Sequence, residues 1–302
     1  MSQNTKYETF LVKTTIRNYS CLLVTTFDPI SKLDLSYDVL MGGKLKGCVQ
    51  IMVKSKHHND FDRSDKSIAQ LLSVKYDKNC DNKGTLETGT GTQHMIRTAF
   101  NIVLRWFPWI RSFSFTDASS KHCRPNGQEV SLAQYYMALY GQTWYERNFK
   151  ARIYNDFLWE KYKKQREILQ DPEIKPIKYN KMRGLFNLPK DKEKSKLFES
   201  SRTLGDYFRV LNDTMDKESL CDYLEPWIER FVDMIMDEHI NRFWKVLWII
   251  YVDDIQPVSF KDPWTSSISS DLYDSISFGK RLNGQEGGFY FLDSSRKLQR
   301  LL

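Results

Sequence analysis

The chain has 302 residues, 41% hydrophobic and 14% aromatic, which suits one large core or two smaller ones and excludes a disordered polymer. No stretch approaches the roughly twenty apolar residues that span a bilayer, and the most apolar run, FWKVLWIIYV at 243–252, contains Lys245. The N-terminal MSQNTKYETF lacks the basic-then-apolar order of a secretory leader, so a soluble chain in an intracellular, reducing compartment is expected.

The first part reads as strands. YETFLVKTTI (7–16) and YSCLLVTTF (19–27) are rich in β-branched and aromatic residues, and Arg17-Asn18 suits the turn between them. YDVLMGG (37–43) and GCVQIMVKSK (47–56) follow, with Gly42, Gly43 and Gly47 around their connection. After a polar loop at 57–66 come a strand at 68–77 and a turn cluster at 77–84. The spacing of Ile96, Ala99, Phe100, Val103, Leu104 and Phe107 predicts a helix over about 92–107, stopped by Pro108. RSFSFTDAS (111–119) reads as a short strand, and Ser131 as the cap of a helix over 131–149.

From 154 to 204 the chain is charged and punctuated by Pro172, Pro176 and Pro189, which predicts helix, linker, helix. Residues 161–196 hold twelve Lys or Arg and five acids, so this segment alone carries the whole net charge of +7. Such a segment suits an acidic protein surface. Nucleic acid is less favoured, because only Tyr162, Tyr179 and Phe186 stand among its charges as stacking residues. Beyond it, Pro226 opens a predicted helix whose apolar positions continue from Ile228 and Phe231 through Ile240, Phe243 and Trp244 to Leu247 and Trp248. Residues 257–302 form a Ser/Gly-rich tail. The order of elements is α+β, followed by a mostly helical C-terminal extension.

The five cysteines are dispersed, odd in number and without a C-x-x-C pair, which predicts reduced thiols. His57-His58 and His122-Cys123 lack companions at ligand spacing, so no metal site is expected. Asp253-Asp254 follow an apolar run and read as its solvated end.

The chemistry-bearing feature is the turn LETGTGT at 86–92, directly before the first clear helix. Glycines at 89 and 91 leave backbone amides unobstructed at the positive end of a helix dipole, an arrangement that holds phosphate and equally serves to turn a corner. A strand at 68–77, this turn, a helix, a strand at 111–119 and a helix ending in TWYERNF together resemble the second half of a GNAT-type N-acetyltransferase. The resemblance covers about residues 7–150 and implies a mixed β-sheet with flanking helices. It further implies acetyl-CoA as cofactor, with its pyrophosphate on Gly89, Thr90, Gly91 and Thr92, and Tyr145 as the acid that protonates the leaving thiolate. Leu86 stands where the family has Gln or Arg, and Asn148 stands at the family's glycine, where it tolerates a left-handed backbone.

The G-T-G-T-Q-H-M and T-W-Y-E stretches also resemble GNAT-related proteins of large eukaryotic DNA viruses. No base for an acceptor amine stands out: Glu87 lies beside the glycine turn, and Asp117 serves equally well as a cap on Ala118-Ser119. Signatures of P-loop, zincin and serine hydrolase chemistry are absent from the sequence. The expected organisation is a GNAT-like domain (1–150), a basic helix–linker segment (151–204) and a helical extension with its tail (205–302). The expected role is a non-catalytic minor capsid or virion protein in the particle or the host cytoplasm. The alternatives are an acetyl-CoA-dependent N-acetyltransferase and, more weakly, a basic nucleic-acid adaptor.

Overall fold

The computed structural model describes residues 4–28, 30–31, 33–43, 47–56, 65–74, 80, 90–123, 129–170, 178–188, 190–235, 245–261, 290–292 and 298–300. The fold is mixed α+β. It divides into two compact units, one comprising Met1–Arg111 with Gln256–Leu302 and the other Ser112–Ile255. These divisions fall at different places from the composition boundaries at 150 and 204.

In the first unit an antiparallel meander runs through β1 (Asn4–Lys13), β2 (Asn18–Phe27), β3 (Asp34–Met41), β4 (Val49–Lys54) and β5 (Ile68–Val74). Strand β4 shows the expected period of two, with Val49, Ile51 and Val53 buried between half-buried neighbours. Helix α1 (Thr90–Trp106) lies against β3 and β4. Its residues Met95, Ile96, Ala99, Phe100 and Val103 are buried, as are Val39 and Met41 of β3 and the inward residues of β4.

Gly42, just past β3, has φ +82°, and a Cβ there would come within 2.2 Å of Met95 Sδ. Here glycine is needed both for the left-handed backbone and for the close approach of α1. The unit is closed by a late return of the chain. Asn101 donates to the Gln256 carbonyl at 3.0 Å, Thr15 N–H donates to Ser259 O at 3.2 Å, and Lys261 N–H donates to Lys13 O at 2.9 Å. A short hairpin, β11 (Tyr290–Leu292) with β12 (Leu298–Arg300), also falls in this stretch of sequence.

The second unit contains three antiparallel strands: β6 (Ser112–Thr116), β9 (Arg152–Ile153) and β10 (Leu247–Tyr251), with β10 in the middle. Leu247 and Trp248 are therefore in a strand and not in the predicted long helix. A short apolar run has no periodicity that separates a buried strand from a buried helix. Trp248, Ile249 and Ile250 are consecutively buried, which requires cover on both faces of β10.

A hairpin of β7 (Ser120–His122) and β8 (Glu129–Ser131) leads to α2 (Leu132–Tyr140). Ser131 caps α2 as expected, but the predicted single helix is interrupted. Gly141 takes φ 66° and ends α2, and Thr143 caps a separate α3 (Trp144–Phe149) through its hydroxyl. The left-handed residue after WYERNF is Lys150 at φ 53°, whereas Asn148 is helical and donates to Trp144 O at 2.8 Å.

The segment read from its charges as helix, linker, helix is built as α4 (Asp156–Gln170), α5 (Tyr179–Phe186) and α6 (Lys192–Ser200). They are followed by α7 (Leu204–Thr214), α8 (Lys217–Leu224) and α9 (Ile228–Ile235). An aromatic cluster of Phe186, Phe198, Tyr207, Phe208, Trp227 and Phe231 joins α5, α6, α7 and α9, with Trp227 in the turn before α9. This cluster explains how a highly charged sequence folds: the charges occupy one side of short helices whose other side is aromatic.

Four of the five cysteines are paired rather than free. Cys48 bonds Cys80, and Cys123 at the end of the β7 segment bonds Cys221 on α8, leaving Cys21 as the buried thiol. Their sequence separations of 32 and 98 give no local motif, which is why the spacing predicts thiols instead. The pairing carries no assignment of compartment. Among the described residues no helix is long and apolar enough to cross a membrane.

Candidate functional site

The residues expected to form a site lie in both units. In the first, Thr90, Gly91 and Thr92 make the opening turn of α1, with no acidic residue to compete for its amides. First-turn amides have no intrahelical acceptor, so their partners must come from outside the helix. Gly89, Leu86 and Glu87 lie outside the described residues. One turn into α1, His94 is stacked on Tyr19 at a ring separation of 5.7 Å, and its Nδ1 lies 2.7 Å from the Tyr19 hydroxyl. Burial, helped by the charge of Arg97, holds the imidazole below its ordinary pKa, so it is neutral near pH 7. This pair is 75 residues apart in sequence and has no sequence signal.

In the second unit, Asp117 directly follows β6 and is only 3% exposed. Its Oδ1 accepts from the Ser119 backbone N–H at 3.2 Å and from the Ser119 hydroxyl, so the expected cap on the following turn is present. Its Oδ2 is buried without a hydrogen-bond partner. Burial pushes the carboxyl up to about 6, against the downward pull of the two bonds from Ser119.

Tyr145 stands in the first turn of α3 with 6% of its surface exposed. Its ring packs on Phe115 at 4.4 Å, edge-on to Trp144 at 4.9 Å and near Phe149 at 6.2 Å. Burial first, and then the charge of Asp117, raises the phenol pKa, so the hydroxyl holds its proton tightly. A general acid must come within hydrogen-bond reach of the group it protonates. Tyr145 holds a proton but is enclosed by side chains.

The next residue, Glu146, forms a network that the sequence does not announce. Its Oε2 accepts from the Tyr162 hydroxyl and its Oε1 from the Arg166 guanidinium, each at 2.5 Å, while its own N–H donates to Thr143 Oγ1 at 3.2 Å. Burial raises the Glu146 pKa despite the opposing pull of Tyr162 and Arg166. Tyr162 and Arg166 stand one turn apart on α4, so the network fastens α4 to α3. The spacing of those two could be read as one helix face, but their carboxylate partner could not.

Asp253 and Asp254 lie in a 3₁₀ turn after β10, and Asp254 pairs with Lys150 at 3.1 Å. Among the described residues no group of three or more His, Cys, Asp or Glu is placed to hold a metal ion. No protein-family model matches this chain, and no curated protein matches it significantly in sequence.

Proposed function

We propose that this chain is a non-catalytic structural component, built on an acetyltransferase-like scaffold and carried in a large DNA virus particle as a minor capsid or virion protein. The enclosure of Tyr145 supports this reading most directly. The only acid candidate from the resemblance is packed among Phe115, Trp144 and Phe149 as an aromatic core residue. Asp117, whose charge acts on Tyr145, is engaged in holding its own turn. Two crosslinks and a largely aromatic helical core suit a part that must keep its shape. The test has two arms. Protein isolated without added ligand is searched for CoA by native mass spectrometry, and purified particles are searched for the chain at constant stoichiometry. Bound CoA with transfer of its acetyl group to an amine would overturn the reading, as would absence from the particles.

A second reading, an acetyl-CoA-dependent N-acetyltransferase, is favoured by one observation: the partnerless Oδ2 of Asp117. A buried carboxyl near neutrality in pKa is a common property of catalytic sites. In that case the bound thioester would supply the acetyl group. Asp117 would take a proton at Oδ2, and Tyr145 would hold one at its hydroxyl.

A further inference from the structure

Helices α4 to α6 carry positive charge that their own packing does not use. Arg166 pairs with Glu146, Lys163 with Glu160 and Lys194 with Asp191. Lys164, Lys178, Lys181, Lys190, Lys192 and Lys196 are exposed and make no ion pair among the described residues. The aromatic residues interspersed with them point the other way: Tyr162, Tyr179 and Phe186 are all buried. What faces solvent on α5 and α6 is therefore a lysine field without aromatic rings, whereas α4 exposes Phe157 to 75%.

On α5 the field contains two features that charge alone does not explain. Lys178, Lys181 and Leu185 recur at helical spacing with Gly184 beside them, so the four form one stripe. All are exposed, Leu185 to 47%. A Cβ at Gly184 would meet nothing within 4 Å, and its φ is not left-handed. Neither packing nor backbone conformation asks for glycine at this point, and glycine weakens a helix interior. Its effect is to leave the α5 main chain open between a cation and an exposed apolar side chain.

We infer that this stripe of α5 docks an acidic protein segment that carries an apolar residue among its carboxylates. The carboxylates meet Lys178 and Lys181, the apolar residue packs on Leu185, and Gly184 lets the partner's backbone approach. The remaining lysines of the field steer the encounter. A nucleic acid fits the same charges less well. The stripe offers no ring for base stacking, the one arginine of α5, Arg183, is half-buried beside it, and its leucine has nothing to do against a sugar-phosphate chain. The inference names the kind of neighbour that the structural reading above requires, and to that extent rests on it.

The test uses the full chain and three labelled probes: a Glu-Glu-Leu repeat peptide, an all-glutamate peptide of the same length, and a short DNA duplex. Anisotropy is followed across a salt series. The Glu-Glu-Leu peptide is expected to bind most tightly at physiological salt and to retain part of its affinity at high salt, where exposed charges are screened within a few ångströms. Lys178→Gln with Lys181→Gln should weaken it about tenfold. Leu185→Ser should weaken this peptide severalfold while leaving the all-glutamate peptide unchanged. Gly184→Glu, whose side chain enters open space and so leaves the circular dichroism spectrum intact, should weaken both peptides.

Tightest binding by the duplex, falling as a power of the salt concentration, would overturn the inference in favour of nucleic acid. Equal peptide binding by the lysine variant would reduce the surface to a solubilising one. Acetyl transfer by the wild-type chain would remove the structural reading and leave a positive docking result standing. Failed docking without any CoA chemistry would remove only the docking inference.

Discussion

The hydroxyl of Tyr162 donates to Glu146 Oε2 at 2.5 Å across sixteen residues of sequence, and Arg166 occupies the other carboxylate oxygen. Tyr162→Phe removes one hydroxyl from a closed network and leaves a buried acceptor unsatisfied. We expect a loss of about 1–3 kcal/mol at neutral pH, read by urea unfolding. The loss should shrink in acid, where Glu146 takes up a proton and no longer needs the donor. A loss that does not vary with pH would show that the hydroxyl matters only for packing.

Asp117 gives a prediction of opposite sense. Its carboxyl titrates at about 6 in the folded chain against an ordinary value of 3.8, so the folded state binds the proton more tightly than the unfolded state. Stability should therefore fall as pH rises from about 4 to about 6, by up to about 3 kcal/mol, and stay flat above that window. Asp117→Asn keeps the oxygen that accepts from Ser119 and removes the charge. It should raise stability at pH 7 and abolish this part of the pH dependence, as measured by melting temperature at a series of pH values. A variant less stable than the parent at pH 7 would mean that the charge at Oδ2 is compensated.

Tyr145→Phe separates the two functional readings. In a structural protein it removes one hydroxyl from an aromatic cluster, and unfolding free energy should stay within about 1 kcal/mol of the parent. Acetyl-CoA binding and acetylation would be unaffected, being absent from the parent as well. In a transferase the same change should lower turnover about a hundredfold or more. Single-turnover acetylation with a panel of amines distinguishes these outcomes.

Two glycines should respond oppositely to alanine. Gly42→Ala forces a side chain into a left-handed backbone and against Met95 Sδ, so a loss above about 1 kcal/mol is expected. Gly184→Ala adds a methyl group in open space on a helix and should gain about 0.5–1 kcal/mol. Thermal unfolding of both variants tests the pair, and a stabilising Gly42→Ala would contradict the approach of α1 to the end of β3.

The first strands are legible in the sequence from their β-branched and aromatic composition, and β4 and helix α1 also from a period: two in β4, and three to four along Ile96, Ala99, Phe100 and Val103. Strand β10 is not legible, since Trp248, Ile249 and Ile250 are buried on both faces and alternate nowhere. The Ser131 cap can be read locally, as can the preference of Asp117 for the Ser119 amide, because both are contacts within three residues. The break at Gly141 is signalled only by one glycine inside an apolar pattern. What sequence cannot deliver is long-range partnership. His94 with Tyr19, Cys123 with Cys221, and Glu146 with Tyr162 and Arg166 are all made by the topology, and each member alone reads as an ordinary core or surface residue.

The return of residues 256–261 to the first unit has a consequence for biosynthesis. Strand β1 emerges from the ribosome before the other described elements, yet the backbone groups of Lys13 and Thr15 must wait for Lys261 and Ser259, and the side chain of Asn101 for Gln256 and Val258. All of the second unit is translated in that interval. The nascent meander therefore spends most of its synthesis with one end of its first strand uncapped, and a ribosome that stalls within the second unit would release a chain that cannot close the first.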